Sequence, residues 1–315
     1  MRDVSAPSRR DLWIHWLIYP GHSLPTAAAP VLVASGLAIH DHVFAPLPAL
    51  AAFFASWLIH IAGLFTDNYT LLVRYPTVKE HPELLDALRN GTLTLSGMRW
   101  AILACVALAA IGPGPYLLAV AGLPVVVIGL LGTVGSLGYS AGPFPIGKHG
   151  LSDLHFFIMF GIFAPAAAYY VQLAAHHEAS SGWSLLFHDM PARAFIVGLP
   201  LGAFAVNILI IDDVRDREFD AAKGWRTGPV RFGMTWSRVE YFLVMAFAYL
   251  VPFWFWQRMG FDASVLLPVI TLPFAALIAR RVWTANDRDD LHPMSPFAAL
   301  LCLGYAALLA VGVAL

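Results

Sequence analysis

The sequence predicts an all-α polytopic membrane protein with nine transmembrane helices. Three observations carry that prediction. Of its 315 residues, 59% are hydrophobic and only 12% charged, with a mean hydropathy of +0.69, whereas soluble domains carry about 25% charged residues. Apolar runs near the ~20 residues that cross a bilayer recur along the whole chain. Lys and Arg gather in alternate loops, the asymmetry expected of a protein oriented by its positive charges.

The elements follow in order. Residues 1–22 read as a cytoplasmic arm. Their first half, MRDVSAPSRR, is polar and lacks a signal-peptide pattern. Trp13 and Trp16 near Arg9 and Arg10 predict a short interfacial helix over 10–20. Spans are expected at about 24–40, 47–73, 97–112, 115–138, 153–175, 193–211, 237–257, 262–282 and 295–315. Together, 1–315 reads as one integral-membrane domain. With the N-terminus cytoplasmic, the loops near 74–96, 139–152, 212–236 and 280–294 lie on the same side, in an inner cell membrane. That side then carries all but Arg193 and Arg258 of the 19 Lys and Arg residues. The lipid bilayer is thus the first partner. A net charge of −1 gives no footprint for nucleic acid. Cys105 and Cys302 sit in apolar runs and read as free buried thiols.

Three inner loops are long or chemically dense. The first opens with Asp67 and Asn68 directly after an apolar run, where an acid near membrane depth usually has a function. It continues through Arg74, Lys79, Glu80, Glu83 and Asp86, the last two readable as an ordinary amphipathic face. The second, YSAGPFPIGKHGLSDLHFF, is a Gly/Pro turn with Lys148 as its basic residue, Ser152 or Asp153 as a helix cap, and Tyr139 at the preceding helix end. His60, His155, His176 and His177 are scattered without metal-ligand spacing. Most aromatics read as packing, with a minority left to line an apolar tunnel. There is no phosphate loop of the Walker or dinucleotide type.

The third loop region, Asn207 to Gly233, is the densest. Asp212, Asp216 and Asp220 fall on one helical face, with Asp213 flanking it. Such a column repels itself unless a cation joins it. Hard oxygen ligands at a helix end suit Mg²⁺, which commonly brings phosphate oxygens along. Arg215, Lys223 and Arg226 are placed to hold a diphosphate. The alternative is a solvated juxtamembrane loop.

At these residues the chain resembles the UbiA superfamily of intramembrane prenyltransferases, and within it the branch that prenylates 1,4-dihydroxy-2-naphthoate for menaquinone. The resemblance rests on HSLPTAAAPVLVASGLA (22–38), YSAGPFPIGKHGLSDLHFFIMFGIFAPAAAYYVQ (139–172) and DDVRDREFDAAKGWRTGPVRFG (212–233). It implies nine helices around a central cavity, and two aspartate motifs holding Mg²⁺ and a polyprenyl diphosphate. Asp216 and Asp220 match the acids of the second motif, Arg215 its arginine and Arg226 its basic position before Thr227. Tyr139 and Asp153 match the tyrosine and acid of the middle segment. The family's first motif, Asn-Asp-Tyr-x-Asp, is altered here to Asp67-Asn68-Tyr69-Thr70-Leu71, and Trp225 stands where a lysine is usual. Asp67 and Asn68, with Glu80 reaching in, remain as metal ligands. Otherwise Arg74 or Lys79 replaces a metal as the charge on the diphosphate. The implied activity is Mg²⁺-dependent transfer of a prenyl group to an aromatic, quinone-precursor-like acceptor. Arg215, Lys148 and Arg226 would stabilise the leaving group, and Asp153 or Tyr139 would orient the acceptor. A terpene cyclase of the same superfamily and a non-catalytic lipid- or quinone-binding homologue are the alternatives.

Overall fold

Apolar side chains cover these helices on nearly every side, so packing rather than amphipathicity decides which helix lies inside. The computed structural model describes residues 8–178 and 182–315, which contain helix and loop but no strand. Residues 1–7 of the expected arm lie outside them. Eight helical runs among the described residues are long and apolar enough to cross a membrane, and a further apolar helix has 15 residues.

The short helix expected over 10–20 is present as Arg9–Asp11 and Leu12–Ile18 (α1). Its Leu12 and Leu17 are fully buried beside Ile61, Phe65 and Leu84, so it packs onto the bundle. Next come α2 (Ser23–His40), α3 (Pro46–Arg74), α4 (Pro82–Arg89) and α5 (Leu95–Ile111). The expected span 115–138 is instead two helices, α6 (Pro113–Ala121) and α7 (Pro124–Gly138). Gly122, at φ +71°, and Pro124 break it, because a proline starts a helix readily but cannot continue one. At 1.5 Å per residue α7 is about 22 Å long, shorter than a ~30 Å hydrocarbon core, so the count of nine spans holds only approximately.

The span 152–174 is α8 (Ser152–Ile158), a π-helical stretch Met159–Phe163, and α9 (Ala164–Ala174). Pro165 has no N–H for the carbonyl of Gly161, which accounts for the widened turn. Neither Ser152 nor Asp153 caps α8; both lie in its first turn, where the acid suits the helix dipole. After α10 (Ala192–Ile196), α11 (Leu199–Arg215) is the hub, buried at nearly every position from Pro200 to Val214. Its neighbours approach at glycines: a Cβ on Gly161 would lie 2.9 Å from the Gly202 Cα. Small residues give membrane helices this close approach. The chain continues through α12 (Arg217–Lys223), α13 (Gly228–Phe232), α14 (Met234–Arg258), the 3₁₀ segment Ala263–Thr271, α15 (Leu272–Thr284), α16 (Arg288–Leu291) and α17 (Met294–Ala314). α17 packs along α2, and α14 along α11. Large apolar side chains such as Leu47, Leu103, Leu131 and Leu250 are exposed on the outside of the bundle, as a lipid-facing surface requires.

Candidate active site

A cavity of about 820 Å³ runs between α3, α7, α8–α9 and α11. One end is polar because α11 stops there. The helix closes at Arg215, with Asp216 at its C-cap, and the chain turns into α12, which ends at Gly224 in the left-handed conformation, φ +71°. The expected straight column of acids is therefore bent at Asp216. The bend brings the carboxylates inward, and Asp212, Asp213, Asp216 and Asp220 all line the cavity. Asp213, beside that run, is 7% exposed.

Each acid has a different environment. Arg215 reaches Asp212 at 2.6 Å and Asp216 at 2.5 Å. Asp216 also accepts from Arg288 Nε at 2.8 Å, while Arg288 Nη2 donates to the Glu80 carbonyl at 3.1 Å. Asp212 accepts from Ser295 Oγ at 2.6 Å. Asp220 lies 3.0 Å from Lys223 Nζ and accepts from Thr227 Oγ1 at 3.2 Å. Asp213 has neither a hydrogen bond nor an ion pair among the described residues. Burial alone would push both Asp216 and Asp220 up. At Asp216 the hydrogen bonds and charges of Arg215 and Arg288 outweigh it and hold the carboxyl below its ordinary value. At Asp220 burial, with repulsion from Glu80 and Asp216, exceeds the pull of Lys223, and the carboxyl is pushed up to about 6.

Asp67 and Asn68 reach the same cavity from α3, as does Tyr139 from the end of α7, and Arg215 and Lys223 complete the polar end. Four expected residues are not in the lining. Lys148 and Arg226 are exposed, joined by a backbone bond from the Arg226 N–H to the Lys148 carbonyl at 3.2 Å. Arg74 turns away to donate to the Gly142 carbonyl at 3.1 Å. Asp153 lies outside the cavity, half-buried, with Oδ1 unpartnered.

Several residues of the site were given no role there from the sequence. Arg288, the first residue of α16, lies outside the cavity lining but holds Asp216, and nothing local marks it as part of a site. Trp225 donates from Nε1 to Tyr75 Oη at 3.2 Å and carries Lys223 Nζ 4.8 Å above its ring. From Trp225 an aromatic wall enters the apolar part of the cavity. Tyr139 is 6.0 Å from Trp225 and 5.2 Å from Phe156, Phe156 is 5.5 Å from Phe160, and Phe160 is 6.0 Å from His60 (ring centroids). The spacing of Phe156 and Phe160, four apart on one helix face, was the available signal. His22 faces His60 at 6.5 Å, a pairing that only the fold creates. No group of three or more metal-ligating side chains is preassembled among the described residues.

The family model described as UbiA prenyltransferase family matches residues 23–303. The chain is 22% identical over 289 residues to the 1,4-dihydroxy-2-naphthoate octaprenyltransferase of Haemophilus influenzae, covering 89% of each. It is 27% identical over 311 residues to the 2-carboxy-1,4-naphthoquinone phytyltransferase of Synechocystis sp., covering 94% of this chain and 90% of that one. Its fold is similar to that of a UbiA homologue from Archaeoglobus fulgidus solved with DMAPP and Mg²⁺, at a TM-score of 0.58 and 18% identity over 94% of this chain and 99% of that one. With the family model spanning almost all of the bundle and the cavity, the chain belongs to the UbiA prenyltransferase family.

Proposed function

We propose that this enzyme transfers a prenyl group from a prenyl diphosphate to an aromatic, naphthoate-type acceptor inside the membrane, with a divalent metal ion, Mg²⁺ by ligand chemistry, at the polar end of its cavity. The observation that carries the reading is the two-part character of that single cavity. Acids and cations crowd one end, while aromatic and aliphatic side chains line the rest. A prenyl diphosphate is built the same way, a dense anion on an apolar tail. The naphthoate prenyltransferases among its relatives support the acceptor class.

The residues fit a divalent cation. Asp67, Glu80, Asp212, Asp213, Asp216 and Asp220 line the polar end, against Arg215, Lys223 and Arg288 as cations. Carboxylates outnumber cations in a buried place, and such a surplus is costly until further positive charge enters. Asp213, buried and without a protein partner, is the acid most in need of one. When bound, the ion supplies positive charge that stabilises the departing diphosphate.

The chain's own groups account for the rest. Arg215 and Lys223 face the diphosphate, and their charge grows more favourable as the allylic C–O bond breaks and its electron pair leaves with the diphosphate. The faces of Tyr139, Phe156 and Phe160 line the path of the allylic cation, and aromatic faces stabilise cations. An acceptor ring carbon then forms the new C–C bond with the cation, and the ring regains aromaticity as the group on that carbon leaves without its bonding pair, a proton passing to the released diphosphate or a carboxylate leaving as carbon dioxide. The apolar lining keeps water from capturing the cation. Tyr139, at the junction of the two zones, is placed to orient an acceptor hydroxyl. The distribution of Lys and Arg supports a cytoplasmic polar end. The reading is tested by removing divalent metal with a chelator. Transfer is expected to be lost and to return with Mg²⁺, whereas transfer indifferent to chelation contradicts the metal assignment.

A further inference from the structure

The alteration of the first aspartate motif leaves Asn68 and Leu71 at positions where the resemblance expects acids. The structure shows what stands there. Lys223, 8% exposed, extends from the end of α12 across to the loop after α3. Its Nζ lies 2.6 Å from Glu80 Oε2 and 3.0 Å from Asp220 Oδ1, and Asp67 lines the same end of the cavity. Glu80 thus arrives from the loop, and Asp220 from the second acidic run, to hold one ammonium between the two halves of the polar end. Trp225 lies under it. Arg74, the nearer basic residue in sequence, points away to Gly142.

We propose that the Lys223 ammonium takes the place of one divalent ion in this protein. The half of the site facing Asp67 and Asn68 then meets the diphosphate with a fixed charge held by Glu80 and Asp220. The metal requirement falls to a single ion, served by Asp212, Asp213 and Asp216. The inference rests on the prenyl-diphosphate reading above. Its physical basis is charge and space. An ammonium between two carboxylates at 2.6 and 3.0 Å occupies the ground a cation would need. Two carboxylates, Glu80 and Asp220, face the one ammonium, so it is held from both sides by opposite charge. A point charge of one, where an ion brings two, also matches a half-site that has lost acids.

The test counts metal ions. Full-length protein in lipid nanodiscs is titrated with Mn²⁺, read by electron paramagnetic resonance, in the presence of an unreactive geranyl thiodiphosphate. Donor affinity is measured in parallel. The wild type is expected to bind one Mn²⁺ per chain. In Lys223→Gln, Glu80 and Asp220 are released in the half of the site that also holds Asp67, so a second Mn²⁺ is expected to bind. Donor affinity at limiting Mn²⁺ should fall about tenfold, the loss of one charge-assisted contact, and recover as Mn²⁺ is raised. Lys223→Arg keeps the charge and is expected to bind one ion, which preserves the test if the glutamine variant fails to fold. Two Mn²⁺ in the wild type with intact donor binding, or a glutamine variant that keeps both one ion and wild-type donor affinity, would overturn the inference alone. No binding of the thiodiphosphate by the wild type would overturn the donor reading and this inference with it.

Discussion

Asp216 is the residue on which the polar end turns. It terminates α11, accepts from both Arg215 and Arg288, and through Arg288 ties the start of α16 to the loop carrying Glu80. Asp216→Asn removes the counter-charge of two partly buried guanidiniums, and breaking a buried pair from one side costs about 3 kcal/mol. We expect a lower melting temperature together with a loss of kcat/KM of about a hundredfold or more, both measured on purified protein. Full activity in this variant would remove Asp216 from the site. The sign of the pH dependence follows from its lowered carboxyl. The ion pairs contribute stability above the ordinary aspartate value of about 3.9 and lose it as pH falls through the lower native value. A melting profile against pH should therefore have a shallower acid limb in Asp216→Asn. Tyr139 separates a ring role from a hydroxyl role. Tyr139→Ala is expected to lower kcat about tenfold by removing an aromatic face, at roughly 1–2 kcal/mol, whereas Tyr139→Phe keeps that face and reports only the orientation of the acceptor.

At the scale of elements, the crossing of α11 with the helix pair α8–α9 positions the site. A Cβ on Gly202 would lie 2.7 Å from the Phe157 carbonyl oxygen and 2.9 Å from the Gly161 Cα. Gly202→Val should force the helices apart and destabilise the fold by about 1–3 kcal/mol. Displacing Phe156 and Phe160 should also slow transfer; a thermal melt and a turnover assay together check this. How much of this was visible in the sequence differs by element. Most spans, the short helix ahead of α2 and the acids Asp212 to Asp220 could be read from apolar runs and helical spacing. The break between α6 and α7 depends on Gly122 and Pro124, whose signal was overridden by continuous hydrophobicity around them. The bend at Asp216 was hidden because the i, i+4 pattern continues across it. Arg288 and the His22–His60 pair could not be read at all, since each depends on contacts between segments far apart in sequence, whereas Glu80 was expected to reach in toward Asp67 and Asn68 and lines the cavity with them. Lys148, Arg226 and Asp153 sit near the right segment in sequence, yet their side chains lie outside the cavity lining.

The described helices form a shell, apolar on its outer surface, around a cavity whose chemistry is graded from charged to apolar. Its orientation can be checked in a background free of Cys105 and Cys302. Asp86→Cys, at an exposed position of α4, should react with an impermeant thiol reagent only from the cytoplasmic side, and Asp262→Cys only from the opposite side. Labelling of both from one side would contradict the alternation of loops. The grading itself is the central claim, because it asks one cavity to release a diphosphate and to guide a cation to a second substrate. The most direct test is diphosphate release by the purified protein with Mg²⁺ and prenyl diphosphates of C10 to C20 and longer, each with and without a dihydroxynaphthoate. The account predicts release that depends on the acceptor and yields one prenylated aromatic product per diphosphate. Release without the acceptor, giving a terpene hydrocarbon or alcohol, would contradict it in favour of a cyclase, and no release with any donor would mean that the cavity binds without catalysing.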